Sequence, residues 1–454
     1  MIKENHIIVV SGLVLTLLIS SLFIVNPKTI NKIEYNLYDF LLAKLEQTEP
    51  SGAVIIIDID EKSLAEVGQW PWPRSQVAEL LLKLQKMQVL SVGIDFLFAE
   101  PDRSSLENVV SRINAPEHSK NILSQIPEHL YNNDQKLSQV LKSGPFVLGY
   151  SFVFDKNTTS FGKLSESIPS GEMNIFFLNN DSSSDNSSSK KTSQQWYHAD
   201  GLIDNLKEFS SSSRSSGFFN MSPDSDSLIR KVPVVMQYQD KTYPSLALST
   251  LLVALQTEQI IHRQNDLGIS YLVIDDQEVP IDQNGNFWIH FRDTQESAFN
   301  TISAVDIIND RVPIEQVAGH IALLGTSAKG LFDLRSTPYN TVFPGVGVHA
   351  TLIDNIIRSD YVIHPQWAWL AQLMLVVLVG LISLIISLKA NALINFILNS
   401  LLIIGLVYAS WWWLNHDQIY LSVFYPVLMT FTSFSFLLLI KYRYKEKKLI
   451  SETL

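Results

Sequence analysis

The sequence predicts an extracytoplasmic α/β domain, with a mostly parallel sheet and elements added at its edge, carried by four transmembrane helices, one N-terminal and three C-terminal. Three observations lead there. Four long apolar runs stand at the two ends of the chain, and short β-branched runs alternate with helical periodicity between them. Charged residues make up only 17% of the 454, well below the roughly 25% of an ordinary soluble protein.

The first apolar run, His6 to Val25, has about the length that crosses a hydrocarbon core. It is long for a signal peptide and is followed by Asn26-Pro27-Lys28 instead of a small-residue cleavage site, so an uncleaved helix is expected. Trp367–Leu388, Ala392–Leu414 and Ile419–Ile440 follow near the other end. Their linkers are long enough only for turns, which makes these three helices antiparallel neighbours. Trp367, Trp369 and Trp411-Trp412-Trp413 sit near span ends, where indole rings favour the interface.

After Ile440 comes KYRYKEKK, with five basic residues in eight, which should remain cytoplasmic. Counting back across the spans places residues 26–366 outside and both termini in the cytoplasm. The expected divisions are 1–25 for the first span, 26–366 for the exterior domain, 367–440 for the three-helix region and 441–454 for a cytoplasmic tail. No span contains an internal Asp, Glu, Lys or Arg. Such residues usually line ion and proton pathways, so a pump or ion-coupled transporter is disfavoured.

The formal net charge is -11. Residues 26–366 hold 27 basic and 41 acidic side chains, and the remainder holds 7 and 4. The acidity therefore belongs to the exterior domain and argues against nucleic acid as a partner. The absence of cysteine removes disulfides, thiolate zinc sites and a cysteine nucleophile.

Within the exterior domain, Gly52–Asp60 (GAVIIIDID) reads as a buried parallel strand. Ser75–Met87 follows with helical spacing, and Leu90–Phe98 is a second buried strand, together a βαβ unit. Pro145–Phe154 and His320–Thr326 suggest further buried strands. Gly217–Asn220 and Val232–Gln239 read as strands, Ser245–Gln256 as a helix, Leu272–Ile274 with Asn286–Phe291 as a hairpin or meander, and Thr351–Arg358 as a last helix. Residues 155–216 contain DSSSDNSSSKK and SSSSRSS, too polar to fold alone, and are expected to be a mobile insertion or long loops.

Several of these segments carry a resemblance. Asp58–Asp102 contains ID-x4-L-x3-G-x-WPWPR, a helix and then GIDFLFAEPD; Gly217–Leu248 ends in PSLAL; and ALLGTSAKGLFDLRSTPYNTVFPGVGVHA follows later. The chain thereby resembles the type-two CHASE sensor family, extracellular domains associated with cyclases and histidine kinases. The likeness spans roughly residues 30 to 366. Ser227 departs from the glycine common at its position in the family.

Ligands of open α/β sheets gather beyond the carboxyl ends of the strands. Asp58, Asp60 and Asp95 fall there, and adjacency of their strands would bring Asp58 and Asp95 together as a cation, ammonium or proton-sensing cluster. The alternative is that these carboxylates cap backbone amides or pair with Arg74. Trp70 and Trp72 in WPWP either wall a ligand or fix the loop to the sheet. Gly325-Thr326-Ser327 follows a strand and, if it opens a helix, offers free amides to an anion. His349 is either a titrating sensor or a core histidine. Asp333 enters through the family-like GTSAKGLFD segment. No zinc-ligand spacing, nucleophile elbow, HExxH or cyclase metal motif is present, so no catalytic residue and no cofactor are expected.

The resemblance implies a sensory receptor module in the bacterial inner (plasma) membrane, as a homodimer, that detects an unknown small-molecule or ionic signal. The 14 residues after Ile440 are too few for a catalytic domain. The output, an adenylate cyclase or kinase, is expected in a continuation of the chain or in a cytoplasmic partner. The alternative is an envelope scaffold without sensing.

Overall fold

A computed structural model describes residues 2–45, 48–112, 125, 127, 131–154, 174–178, 195–257, 259–265, 268–292, 298–328 and 334–453. The chain divides into a helical unit, Met1–Glu46 with Asp266–Ile269 and Val362–Leu454, and an α/β unit, Gln47–Asn265 with Ser270–Tyr361.

In the helical unit, four helices are long and apolar enough to cross a membrane: Asn5–Val25, Ala368–Lys389, Ala392–Asp417 and Phe424–Tyr444. At one end Ile8 packs with Leu384 and Leu437, and at the other Ile19 and Phe23 pack with Val376, Tyr425 and Met429. The first helix therefore runs opposite to the second and fourth. The fourth begins at Phe424, not at Ile419 as its apolar run suggests, because Ile419 bridges Ile363 and Tyr420 donates its amide to the Ile363 carbonyl. Its helix runs on to Thr453. Between the second and third helices, Ser383 donates to Asn399 at 2.7 Å, and Asn399 donates to Asn395 at 2.6 Å. These buried polar groups satisfy one another inside the bundle, as an apolar surround requires.

The α/β unit is built on a seven-stranded sheet among the described residues. In chain order its strands are β1 (Val54–Ile59), β2 (Ser91–Ile94), β3 (Phe146–Val153), β4 (Gly201–Ile203), β5 (Ser215–Phe218), β6 (Asn300–Ser303) and β7 (Ile321–Thr326). They lie in the spatial order β6-β1-β7-β2-β3, with β5 parallel and β4 antiparallel to β3. All other pairs in the sheet are parallel. The central strands are apolar on both faces because helices cover both. Ile55, Ile57 and Ile59 face Val77, Leu80, Leu81 and Leu84 of the helix Arg74–Lys86. Val54 and Ile56 share the opposite core with the helices Leu246–Leu255 and Gly345–Arg358.

Three differences from the sequence reading have physical causes. Val232–Gln239 is two strands, Lys231–Pro233 and Val235–Tyr238, in different sheets. Ser270–Ile274 forms its hairpin with Gln277–Ile281, while Asn286–Ile289 pairs with Lys231–Pro233, so Leu272–Ile274 and Asn286–Phe291 are not hairpin partners. The stretch 155–216, expected as loops, contributes Asn174–Leu178, β4, the short helix Lys207–Ser210 and the start of β5. Trp196, Leu202 and Phe209, all buried, give the polar surroundings something to anchor. DSSSDNSSSKK lies outside the described residues.

The last helix begins at Gly345, ahead of Thr351, and approaches the sheet closely. A Cβ on Gly325 of β7 would stand 2.5 Å from Val346 Cβ, so glycine is what lets this helix seat.

Candidate functional site

At the carboxyl edge of the sheet, β7 lies between β1 and β2. The expected adjacency of the Asp58 and Asp95 strands is thus corrected. Asp58 pairs in register with Gly325, and the Asp95 amide donates to the Leu324 carbonyl. The two carboxylates flank β7 and have separate partners.

Asp58 accepts from the Ser327 amide at 2.9 Å and from the Ser327 hydroxyl. Burial pushes its carboxyl above the usual range, and the Ser327 bonds oppose that shift only in part. The Ser327 amide, a candidate for an external anion, is therefore spent on Asp58; the residues that would open a helix after it lie outside the described residues. Thr326 ends β7 opposite Ile59. Asp60 caps the helix Glu61–Val67 through the Ser63 amide at 2.8 Å and accepts from Ser303 at 2.8 Å.

Asp95 meets His349 instead. His349 Nε2 stands 3.6 Å from Asp95 Oδ1, both side chains almost wholly buried. The spacing is longer than a hydrogen bond. His349 Nε2 has no hydrogen-bond partner among the described residues.

Arg74 pairs with none of these carboxylates. Its amide donates to Asp102 at 2.9 Å, its Nε stands 3.9 Å from Asp134, and its guanidinium covers the Phe98 ring at 4.5 Å. Burial lifts the Asp134 carboxyl. Trp72 is 2% exposed and donates its indole N–H to the Gly68 carbonyl at 2.8 Å. Trp70 meets Phe96 edge-on at 4.8 Å, and the Trp70–Pro71 bond is cis. Both rings fasten the loop to the sheet. Asp333 lies outside the described residues. Among the described residues no group of His, Asp and Glu is arranged to hold a metal ion.

A second buried cluster, which no sequence motif announces, gathers the first and last segments of the α/β unit. Arg292, which follows the strand Asn286–Ile289, contacts Asp354 at 2.6 Å and Asp360 at 3.6 Å, and its Nε donates to the Thr48 carbonyl at 2.7 Å. Thr48 donates its hydroxyl to Asp360 at 2.6 Å. His290 Nδ1 stands 2.6 Å from Asp360, and the His290 amide donates to Asn355 at 2.9 Å. Asp354 also accepts the Ser51 amide at 2.8 Å. Burial works against ionised Asp360, but the His290 and Thr48 bonds and the Arg292 charge hold it below the usual range.

Thr48 and Ser51 begin the α/β unit, and Asp354 and Asp360 end it. The network is a clasp that ties the incoming segment to the outgoing one through His290 and Arg292, which follow the strand Asn286–Ile289. The one sequence signal was Asp354 on an otherwise apolar helix face; its partners lie as far away as Ser51. The same helix, Gly345–Arg358, carries His349 at the carboxyl edge and Asp354 in the clasp, five residues or roughly 7.5 Å apart along its axis.

These features define an α/β domain whose chain lies between helices long and apolar enough to span a membrane. The chain belongs to the CHASE2 domain family, whose model matches residues 12–386. CHASE2 is an extracellular sensor domain of signalling receptors. No curated protein and no solved structure matches the chain.

Proposed function

We propose that this protein is the sensory and membrane portion of a multi-pass receptor, with residues 26–366 outside and both termini in the cytoplasm of a bacterial inner membrane. A change at the carboxyl edge of the sheet shifts the helix Gly345–Arg358 and, through Asp354, the segments that continue into the spans. The output is an adenylate cyclase or a kinase, supplied by further chain or by a partner, and the receptor works as a homodimer. The observation that carries this reading is the single helix bearing both His349 and Asp354. A rigid secondary element packed at one site and bonded at another is the kind of element that couples distant sites.

The test is a cyclase fused after Leu454 in the full chain, with cyclic nucleotide measured against pH, salts and small molecules. ATP is cytoplasmic, so any activity also reports the orientation. A response in at least one condition, changed by Asp354→Asn, is expected; constant output throughout contradicts the reading.

A further inference from the structure

The helical unit contains a cavity of about 670 Å³ at the turn between its second and third long helices. Lys389, Asn391, Ser435, Leu439, Lys441 and Tyr442 are among its walls. The second span ends at Lys389, the third begins at Ala392 and the fourth ends at Tyr444. The cavity therefore lies where the apolar helices give way to water, at the depth of lipid headgroups.

Its chemistry is two-sided. Lys441 donates to the Ser387 and Ala390 carbonyls at 3.1 and 2.8 Å, which fixes its ammonium over the turn with one N–H that these two bonds do not use. Among the described residues Lys389 has no acidic partner and no carboxylate lines the cavity. Glu446, further along the same helix, lies 3.9 Å from Arg443. Against these two cations stands an apolar wall that includes Leu438 and Leu439, the latter 56% exposed.

We propose that this cavity binds the headgroup of an anionic phospholipid, its phosphate between Lys389 and Lys441 and its acyl chain along Leu439. Basic pockets between spanning helices recognise such headgroups because the lysines meet a phosphate at the interface while the helices meet the chain. The inference rests on these helices being membrane spans, beyond which it needs nothing of the sensing role. Free phosphate satisfies only the cationic half of the site.

The full chain is reconstituted in phosphatidylcholine nanodiscs with graded phosphatidylglycerol, and lipid retained after mild release is counted by native mass spectrometry. Preferential retention of phosphatidylglycerol is expected, falling about tenfold or more in Lys389→Gln/Lys441→Gln, since each lysine at an anionic surface contributes separately. Equal retention of the two lipids, or an unchanged preference in the double variant, overturns the proposal. Competition by inorganic phosphate at equal concentration also overturns it, in favour of a simple anion site. Lys441 holds the turn, so if the double variant fails to fold, Lys389→Gln alone decides: a reduced preference supports the site, and an unchanged one sinks it. Failure of the wild-type chain to enter nanodiscs at all refutes the membrane reading instead.

Discussion

Arg292 meets Asp354 at 2.6 Å where the two side chains are 4% and 0% exposed. A buried charge whose partner is removed has neither water nor a counterion, and breaking such a pair costs about 3 to 5 kcal/mol. Arg292→Met is expected to destabilise the chain by that order in chemical denaturation. Asp354→Leu on the same background should restore part of the loss, and the resulting double-mutant cycle should show strong coupling. Additive effects would mean that the two residues act independently.

Asp360 in the clasp and Asp58 at the carboxyl edge should respond to acid in opposite senses. Asp360 is held below its ordinary value, so its contribution is present above about pH 4, the unfolded value, and is lost as pH falls through the lower folded value. Asp58 is raised by burial, so the folded state takes up its proton first, and its ionisation costs stability as pH rises from about 4 through the raised value. Stability curves between acid and neutral pH should therefore diverge from wild type with opposite slopes in Asp360→Asn and Asp58→Asn.

The seating of the helix Gly345–Arg358 depends on a missing side chain. Gly325→Ala would drive a methyl into Val346, and overpacking of this kind costs about 1 to 3 kcal/mol. Val346→Gly on that background is expected to relieve the clash, because the nearest obstruction is the Val346 Cβ, which alanine would keep. Thermal denaturation of the three variants checks this, and no recovery in the double variant would place the strain elsewhere.

Ser227 has a φ of 72°, in the left-handed region where side chains are disfavoured. It sits in a tight turn, its amide donating to the Asp224 carbonyl at 2.9 Å, beside the buried Arg230 and the pair Asp224 and Asp226. Ser227→Gly is expected to stabilise the chain by about 0.5 to 1 kcal/mol, the scale of relief when a side chain leaves that region. A destabilised variant would show that the Ser227 side chain contributes more than its backbone conformation costs.

The membrane helices and the parallel strands were legible because their signals are local. Twenty apolar residues in a row, or VIIID beside a periodic helix, need no knowledge of distant chain. Strand order was not local: nothing in Gly52–Asp60 says that β7, some 260 residues later, will separate it from β2, and the supposed contact of Asp58 with Asp95 failed on that account. The clasp was invisible for the same reason, since Arg292, Thr48 and Asp360 are ordinary surface residue types until folding buries them together. The family-like Asp and Trp residues at the carboxyl edge were found, but motif spacing does not distinguish a ligand contact from a capped helix, and the bonds of Asp60 and Trp72 are of the second kind.

The helix Gly345–Arg358 carries His349 at the carboxyl edge and Asp354 in the clasp, and the proposed signal passes along it. Amide hydrogen exchange of the full chain in nanodiscs, wild type against His349→Asn, tests it most directly. Faster exchange is expected at residues 325–327 and also at Ser51, whose amide is held by Asp354, five residues further along that helix. A change confined to the neighbourhood of residue 349, with Ser51 protected as before, would contradict it.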